Sequence, residues 1–154
     1  MPNWPIALLY NVRRRLLALL RWRTRGVKVL AFDAEGQVLL VRHRYGRRDL
    51  FMLPGGGIAR GETPACAAQR EVEEETGCTL RDVAPIARYE ARAEGRRDTV
   101  FLFAATTDDV PRADGREIEE AGFHALDALP ATTSAATRRR IEEWQGRRPR
   151  SMAW

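Results

Sequence analysis

A glycine-rich segment followed by a closely bracketed acidic helix is the feature that most constrains the fold. It is the stretch GGGIARGETPACAAQREVEEETGC at residues 55–78. Thr63 followed by Pro64 is typical of a helix N-cap and first turn, and Gly77 is typical of a left-handed helix end. A helix of about thirteen residues is therefore predicted between them. The three glycines at 55–57 allow the backbone to approach a ligand closely.

The predicted helix concentrates negative charge on one side. At helical spacing, Glu71, Glu74 and Glu75 fall within about 100° of arc. Glu73 is expected to face solvent instead. Like charges at i,i+3 and i,i+4 each destabilise a helix by roughly 0.2–0.5 kcal/mol, and the dipole disfavours anions in the last turn. Arg70 can relieve Glu74, but one cation cannot neutralise three carboxylates, whereas a bound divalent cation would resolve the conflict.

An apolar stripe is predicted beside the acidic face, formed by Ala65, Ala68 and Val72. Because this stripe must face the core, the acidic face is expected at its edge, where a cleft can form. Mg²⁺ prefers oxygen ligands and often bridges carboxylates to substrate phosphates. The glycine segment can supply carbonyls to a metal and amides to a phosphate oxygen. The two elements together predict a metal-assisted phosphate site, although a bare ExxEE pattern is usually a solvated face.

Patterns on both sides of this helix predict strands. Alternating apolar residues around a turn at 33–36 predict a β-hairpin over 27–41, and a short strand at 50–53 leads into the glycines. Further strands are predicted at 83–91, 99–105 and 117–126, with a final helix at 134–144. Strands on both sides of one helix, without regular βαβ alternation, indicate an α/β (α+β) protein, an α/β/α sandwich with a mixed sheet.

The 154 residues are expected to form one domain with two extensions. Residues 1–25 have helical apolar spacing interrupted by arginines and predict an amphipathic leading helix. Residues 26–146 form the predicted globular domain, and residues 147–154 a polar tail. The leading helix could pack on the domain, mediate a homodimer, or lie on anionic lipid.

Composition limits the compartment and the partners. The longest apolar runs fall far short of the roughly 20 residues that cross a bilayer, and the first arginines follow the first apolar run, contrary to a secretory signal. We therefore expect a cytoplasmic protein without a membrane span. Cys66 and Cys78 lack a metal or redox spacing and are expected to be reduced. His43 and His124 are isolated and are expected to be packed or exposed rather than catalytic.

The acidic stretch resembles the signature of the Nudix hydrolases. The matching positions are Gly56, Glu62, Arg70, Glu71, Val72, Glu74, Glu75 and Gly77. Cys78 departs mildly, because an aliphatic residue is usual there. The resemblance also includes the predicted hairpin, Leu53 and Pro54 at the loop entry, and Leu129 and Pro130 before the final helix. It covers residues 26–144 and leaves the leading helix outside.

Nudix enzymes hydrolyse a nucleoside diphosphate linked to another group. The resemblance therefore implies Mg²⁺-dependent hydrolysis of a pyrophosphate bond in such a small molecule, with Mn²⁺ as a substitute metal. The implied metal ligands are Glu71, Glu74, Glu75 and the Gly55 carbonyl. The implied catalytic residues are Glu71, Glu74, the orienting Arg70 and, from a downstream loop, Glu117, with Glu119 and Glu120 as competitors for its role.

Substrate contacts are predicted less sharply. Arg42 and Arg44 could clamp phosphates beside the backbone of Gly56 and Gly57, although arginine runs at 42–48 and 138–140 are equally typical of a solvated surface. A nucleotide-sensing module and an RNA 5′-end pyrophosphohydrolase stay open as alternatives. The complete glutamate set argues against a sensor. The net charge of +5 favours an anionic partner, but no aromatic-basic RNA motif supports nucleic acid.

One substrate marker of the family can be checked in the sequence. The proline that accompanies ADP-ribose hydrolysis in this family is absent from residues 91–95. No other marker replaces it, so the resemblance implies the reaction without implying the substrate.

Overall fold

The structure is a computed structural model that describes residues 23–47, 49–93 and 96–154. The predicted leading helix lies outside the described residues, apart from the last three positions of the 1–25 segment. In the described part of the chain, no helix combines the length and the hydropathy that a membrane crossing requires.

The described chain contains the strands and helices that the sequence predicts downstream of residue 26. The strands are β1 (Arg23–Phe32), β2 (Val38–His43), β3 (Phe51–Met52), β4 (Arg81–Ala93), β5 (Arg96–Thr106) and β6 (Ile118–His124). The helices are α1 (Pro64–Thr76) and α2 (Ala135–Trp144). The expected fold class is confirmed.

A six-stranded mixed sheet organises these elements. Its order is β3-β2-β1-β5-β4, and β6 pairs with β2. β1 runs parallel to β5 along its whole length, from Arg23 opposite Arg97 to Phe32 opposite Thr106. The other strand pairs are antiparallel. Because β1 has a parallel neighbour on one side and a hairpin partner on the other, it is the strand around which the site is built.

The glycine segment fills a gap that opens between β1 and β2. The two strands pair at Phe32 and Val38, next to the hairpin turn. Farther along β1, the Val29 N–H donates to the Pro54 carbonyl at 3.1 Å and the Val27 N–H donates to the Gly56 carbonyl at 2.9 Å. The glycines therefore continue the sheet beside β1. Because they lack side chains, their backbone can pack directly against β1, and the segment is not a loose loop.

Each face of the sheet carries a core under one helix. The core on the α1 side is formed by Val27, Val29, Ala31, Leu39, Ile58, Ala67, Ala68, Val72, Cys78, Leu80, Phe103 and Ala105. The core on the α2 side is formed by Leu30, Val38, Leu40, Phe51, Leu53, Tyr89, Leu102, Ala104 and Ile141. Adjacent residues of β1 thus serve opposite faces, as expected for a strand covered on both sides. The three layers match the predicted α/β/α sandwich.

The ends of α1 are fixed by local chemistry. The Thr63 hydroxyl accepts from the Cys66 N–H at 3.2 Å, and Gly77 has a φ of 71° with its N–H donating to the Glu73 carbonyl. Both predicted ends are confirmed. The predicted apolar stripe was partly wrong, because Ala65 is exposed and Ala67 is buried.

A buried arginine ties α2 to the sheet and to the chain's last residues. Arg140 is 0% exposed, and its Nη2 donates to Glu143 Oε1 at 3.0 Å. The other Glu143 oxygen accepts from the Tyr89 hydroxyl at 2.8 Å. The guanidinium lies 4.1 Å from the centre of the Tyr89 ring and donates to the Ala153 carbonyl at 2.9 Å. The residues predicted as a polar tail thus end against β4, where Trp154 contacts Tyr89 edge-on.

We expect Glu143→Ala to destabilise the protein by about 3–5 kcal/mol, because it leaves the Arg140 charge buried without its carboxylate. Glu142→Ala is the matched control: Glu142 lies next in the chain and makes a looser 3.8 Å contact with Arg148. We expect that control to stay within about 0.5 kcal/mol of wild type. Urea denaturation measures both, and equal losses in the two variants would contradict a structural role for the buried pair.

Candidate active site

Glu71 places a carboxylate against the glycine segment. A Cβ on Gly56 would lie 2.4 Å from Glu71 Oε2, so the two residues are in direct contact. Arg70 Nη1 donates to the other carboxylate oxygen at 2.8 Å. Burial raises the pKa of Glu71 above its ordinary range; the Arg70 hydrogen bond and charge oppose that effect, and the charges of Glu74 and Glu117 add to it. The carboxylate is therefore desolvated and only partly neutralised.

Glu75 lies deeper, one helical turn farther along α1. It is 6% exposed, and its Oε2 accepts from the Gly55 N–H at 3.0 Å. Burial raises the pKa of Glu75 to about 7, even though the Lys28 ammonium and the Gly55 N–H favour the charged form. The charges of Glu71 and Glu117 push it in the same direction as burial. Acidic groups thus crowd a region that lacks matching positive charge.

Glu74 lies at the rim of the same helix face. Its side chain is 57% exposed, and Arg70 Nη1 approaches it at 3.3 Å. Glu73, which the sequence places toward solvent, is exposed as predicted. The acidic face of α1 therefore runs from the buried Glu75 through the half-buried Glu71 to the exposed Glu74.

Arg70 links the helix to the start of the signature. Its Nε and Nη2 donate to the two oxygens of Glu62 at 2.8 and 3.0 Å, and Nη2 also donates to the Gly57 carbonyl at 2.9 Å. Glu62 in turn accepts from the Ala59 N–H at 2.9 Å. The Arg70 hydrogen bonds lower the pKa of Glu62 to about 2. Arg70 is thus held in one orientation, with Glu62 as its main partner.

Glu117 approaches the glutamates from the loop before β6. Asp114 Oδ1 accepts from the backbone N–H groups of Arg116, Glu117 and Ile118 at 2.8–3.0 Å, which fixes the loop. The Arg44 N–H donates to the Glu117 carbonyl at 2.8 Å. The Glu117 charge raises the pKa of both Glu71 and Glu75, so its carboxylate lies within electrostatic range of both.

The two competitors of Glu117 point elsewhere. Glu119 and Glu120 contact Arg42, at 3.5 and 2.9 Å. A register shift in the β2–β6 ladder lies between Arg42 and His43, and such bulges redirect side chains. Glu117 is therefore the member of the GREIEE segment that lies with the helix glutamates.

The two arginines predicted to bind phosphate, Arg42 and Arg44, lie in different surroundings. Arg42 is engaged by Glu119 and Glu120, and its guanidinium lies 5.8 Å from the centre of the Phe51 ring. Arg44 is exposed. Their role in substrate binding stays a prediction, as does that of the Gly56 and Gly57 backbone.

Sequence reasoning missed Lys28 in this region and gave His43 no role in the site. His43 Nε2 lies 4.0 Å from Glu75 Oε1, and Lys28 Nζ donates to the Leu53 carbonyl at 2.9 Å. Lys28 lies between two valines of β1 and His43 is the last residue of β2, and no spacing pattern singles out either one. Only the pairing of β1 with the glycine segment brings Lys28 to the site.

The residues present fit a hard divalent cation by their chemistry. Glu71, Glu74, Glu75 and the Gly55 carbonyl offer oxygen donors alone, which suits Mg²⁺ or Mn²⁺. In the part of the chain that the structure describes, these carboxylates are not gathered around one point, because Arg70 engages Glu71 and Glu74 while Glu75 binds Gly55. The raised pKa values of Glu71 and Glu75 express the unneutralised charge that a cation would offset.

We expect Gly56→Ala to weaken Mn²⁺ binding at least about tenfold, because the added Cβ must displace the Glu71 carboxylate. Gly57→Ala is the matched control, since a Cβ there meets nothing within 4 Å. Isothermal titration calorimetry with Mn²⁺ measures both affinities. Equal affinities in the two variants would remove Glu71 from the metal site.

We expect Glu75→Gln to stabilise the metal-free protein at pH 8 by about 2 kcal/mol. The folded pKa of about 7 exceeds the ordinary 4.5, so the native state binds the extra proton and stability falls as pH rises between those values. Glutamine cannot ionise and can still accept from the Gly55 N–H. Urea denaturation in EDTA at pH 5 and pH 8 measures the effect, and Glu73→Gln, at an exposed position, is the control. If the gain in unfolding free energy does not grow with pH, the prediction is contradicted.

Comparison with known proteins agrees with the geometry. The NUDIX domain family model matches residues 22–145. An ADP-ribose pyrophosphatase of Bacillus subtilis (strain 168) is 31% identical over 99 residues, which cover 63% of this chain and 53% of that protein. An RNA pyrophosphohydrolase of Acidiphilium cryptum (strain JF-5) is 33% identical over 125 residues, covering 65% of this chain and 74% of that protein.

A solved structure is similar over most of the chain. The MutT NUDIX hydrolase from Burkholderia pseudomallei superposes with a TM-score of 0.69 at 28% identity, covering 78% of this chain and 96% of that one. The chain spans about half the length of the Bacillus subtilis ADP-ribose pyrophosphatase. The family match, the architecture and the glutamate-lined glycine segment lead to one conclusion: the chain belongs to the Nudix hydrolase family.

Proposed function

We propose that the protein is a Mg²⁺-dependent pyrophosphohydrolase that cleaves a pyrophosphate bond in a nucleotide or in a nucleoside diphosphate linked to another group. The observation that carries the proposal is the contact of two carboxylates of one helix with the glycine segment, Glu71 against Gly56 and Glu75 on the Gly55 N–H. Burial and mutual repulsion raise the pKa of both helix glutamates. Desolvated acidic clusters of this kind are typical of functional sites rather than of stabilising surfaces.

The metal would be held by Glu71, Glu74, Glu75 and the Gly55 carbonyl. When bound, a divalent cation neutralises diphosphate charge and lowers the pKa of an attacking water. Glu74 is the ligand with the greatest freedom, because its side chain is largely exposed and exposed side chains change rotamer rapidly. The buried Glu75 and the packed Glu71 supply the fixed part of the set.

The other residues orient groups and move the proton. Arg70 holds the Glu71 carboxylate against Gly56, because Glu62 and the Gly57 carbonyl fix its guanidinium. Glu117 lies on a loop fixed by Asp114, and we propose that it accepts a proton from water. Glu71 and Glu74 are the alternative bases, and the resemblance does not decide among the three.

For the substrate, the only guide is the names of the relatives. They include an ADP-ribose pyrophosphatase and RNA pyrophosphohydrolases, so the shared chemistry is cleavage of a phosphoanhydride. The short matches to RNA pyrophosphohydrolases cover about a third of those proteins. We propose that the substrate is a small nucleotide derivative rather than RNA. The cytoplasmic location and the homodimer stay predictions.

A substrate panel tests the proposal. Nucleoside triphosphates, nucleoside diphosphate sugars, ADP-ribose and 5′-triphosphorylated RNA are each incubated with Mg²⁺ or Mn²⁺, and released phosphate and nucleoside monophosphate are measured. We expect Glu74→Gln to lower the rate on any active substrate by roughly 10²–10⁴-fold. Glu73→Gln is the matched control, because the two neighbouring glutamates are both exposed and only Glu74 lies on the acidic face.

The outcomes separate the alternatives. Hydrolysis of RNA alone, with affinity that falls steeply with salt, would favour the RNA enzyme. Binding of a nucleotide without any hydrolysis would favour the sensing module. Equal activity of the two glutamine variants would remove Glu74 from the site while leaving the enzyme assignment in place. Chelation with EDTA is expected to abolish turnover and added Mg²⁺ to restore it.

A further inference from the structure

Lys28 brings a cation into the acidic site from the strand beneath it. It lies on β1, and its Nζ donates to the Leu53 carbonyl at 2.9 Å and makes a longer contact of 3.5 Å with the Gly55 carbonyl. Gly55 also donates its N–H to Glu75. Gly55 therefore has two charged neighbours: its carbonyl faces the Lys28 ammonium, and its N–H donates to the Glu75 carboxylate.

The choice of lysine at this position stands out in the chain. Among 26 lysine and arginine residues, Lys28 is the only lysine. An ammonium is a compact point charge, whereas a guanidinium is planar and needs room for a fork of donors. Lys28 is partly buried, and its ammonium contacts the carbonyls of Leu53 and, at longer range, Gly55. Burial lowers the pKa of Lys28, while the charges of Glu75 and Glu71 oppose that effect.

The glycine segment does not depend on Lys28 for its shape. The backbone hydrogen bonds from Val27 and Val29 to the Gly56 and Pro54 carbonyls hold it against β1, and Glu75 holds the Gly55 amide. What Lys28 adds is one positive charge beside Glu75 and Glu71. Its effect on the site is therefore mainly electrostatic.

We propose that Lys28 is a positioning residue that acts as the built-in counter-cation of the metal site. This inference rests on the proposed function, because it concerns the metal that Glu71, Glu75 and the Gly55 carbonyl would hold. In the metal-free protein, the ammonium offsets part of the glutamate charge and engages the Gly55 carbonyl. A divalent cation must bind against that charge and compete for that carbonyl. Lys28 thus weakens metal affinity, and metal binding in return weakens the contact of the ammonium with the Gly55 carbonyl.

Three substitutions separate charge from shape. Lys28→Gln removes the charge and keeps an N–H donor for the Leu53 carbonyl. Lys28→Met removes both, and Lys28→Arg keeps the charge. Each full-length variant is titrated with Mn²⁺ by calorimetry. Each is also melted in EDTA and in saturating Mn²⁺.

We expect Lys28→Gln and Lys28→Met to bind Mn²⁺ roughly tenfold more tightly than wild type, within the range of couplings between neighbouring sites. The same Mn²⁺ concentration is expected to raise their melting temperature above its value in EDTA by more than it does for wild type, because they bind the metal more tightly. Lys28→Arg is expected to bind Mn²⁺ close to the wild-type affinity. If Lys28→Met does not fold, Lys28→Gln decides the question; unchanged or weaker binding by the neutral variants would overturn the proposal.

The single lysine also provides a direct signal. Protein labelled with ¹³Cε-lysine is expected to show one Lys28 resonance that shifts during a Mg²⁺ titration, with the midpoint that calorimetry gives for Mg²⁺. A resonance that does not move would overturn the competition for Gly55. Wild-type protein that binds no Mn²⁺ would instead overturn the proposed function, whereas wild-type binding without tightening in the neutral variants would overturn only the role of Lys28.

Discussion

The close contact between Gly55 and β1 is the constraint on which the site depends. A Cβ on Gly55 would lie 2.1 Å from the Val27 carbonyl oxygen, and its φ of 141° is a conformation that side-chain-bearing residues rarely adopt. Because the backbone is pressed against β1, the Gly55 N–H is fixed in space and can receive Glu75. That bond anchors the last turn of α1, and Glu71, one turn earlier, meets Gly56. The position of the helix and the geometry of its carboxylates thus follow from one backbone contact.

The same arrangement leaves the site short of positive charge. Arg70 is adjacent to the acidic face, but both oxygens of Glu62 engage its guanidinium, so much of its charge is already offset. Arg42 is likewise engaged by Glu119 and Glu120. Despite the net charge of +5, burial keeps the pKa values of Glu71 and Glu75 raised. Arg70 and Lys28 act on the two glutamates but offset the effect of their burial only in part.

Local features of the fold could be predicted from the sequence, and long-range ones could not. The ends of α1 follow from Thr63 and Gly77 because capping depends on neighbouring residues. The burial of Ala67 instead of Ala65 depends on how the contact between Glu75 and Gly55 orients the helix. A helical wheel shows which residues share a face, but it does not show how that face is turned toward the sheet. Arg140 lies in an arginine run that is typical of solvated surface, yet it is fully buried, because the Tyr89 ring and the Ala153 carbonyl, both outside its helix, contact its guanidinium. Lys28 was missed for the same reason.

Arg42 forms ion pairs that are easier to exchange than the contacts of the helix glutamates. Its partners Glu119 and Glu120 are about half exposed, and exposed ion pairs contribute only about 0–1 kcal/mol each. A phosphate group can therefore displace them, because a bidentate Arg–phosphate contact is stronger than a loosely held surface pair. Glu75 and Glu71, by contrast, are held by burial and by the glycine backbone. If the proposed function holds, the rigid glutamates carry the reaction, and the exchangeable ion pairs on β2 and β6 are the part of the site that is free to contact the substrate.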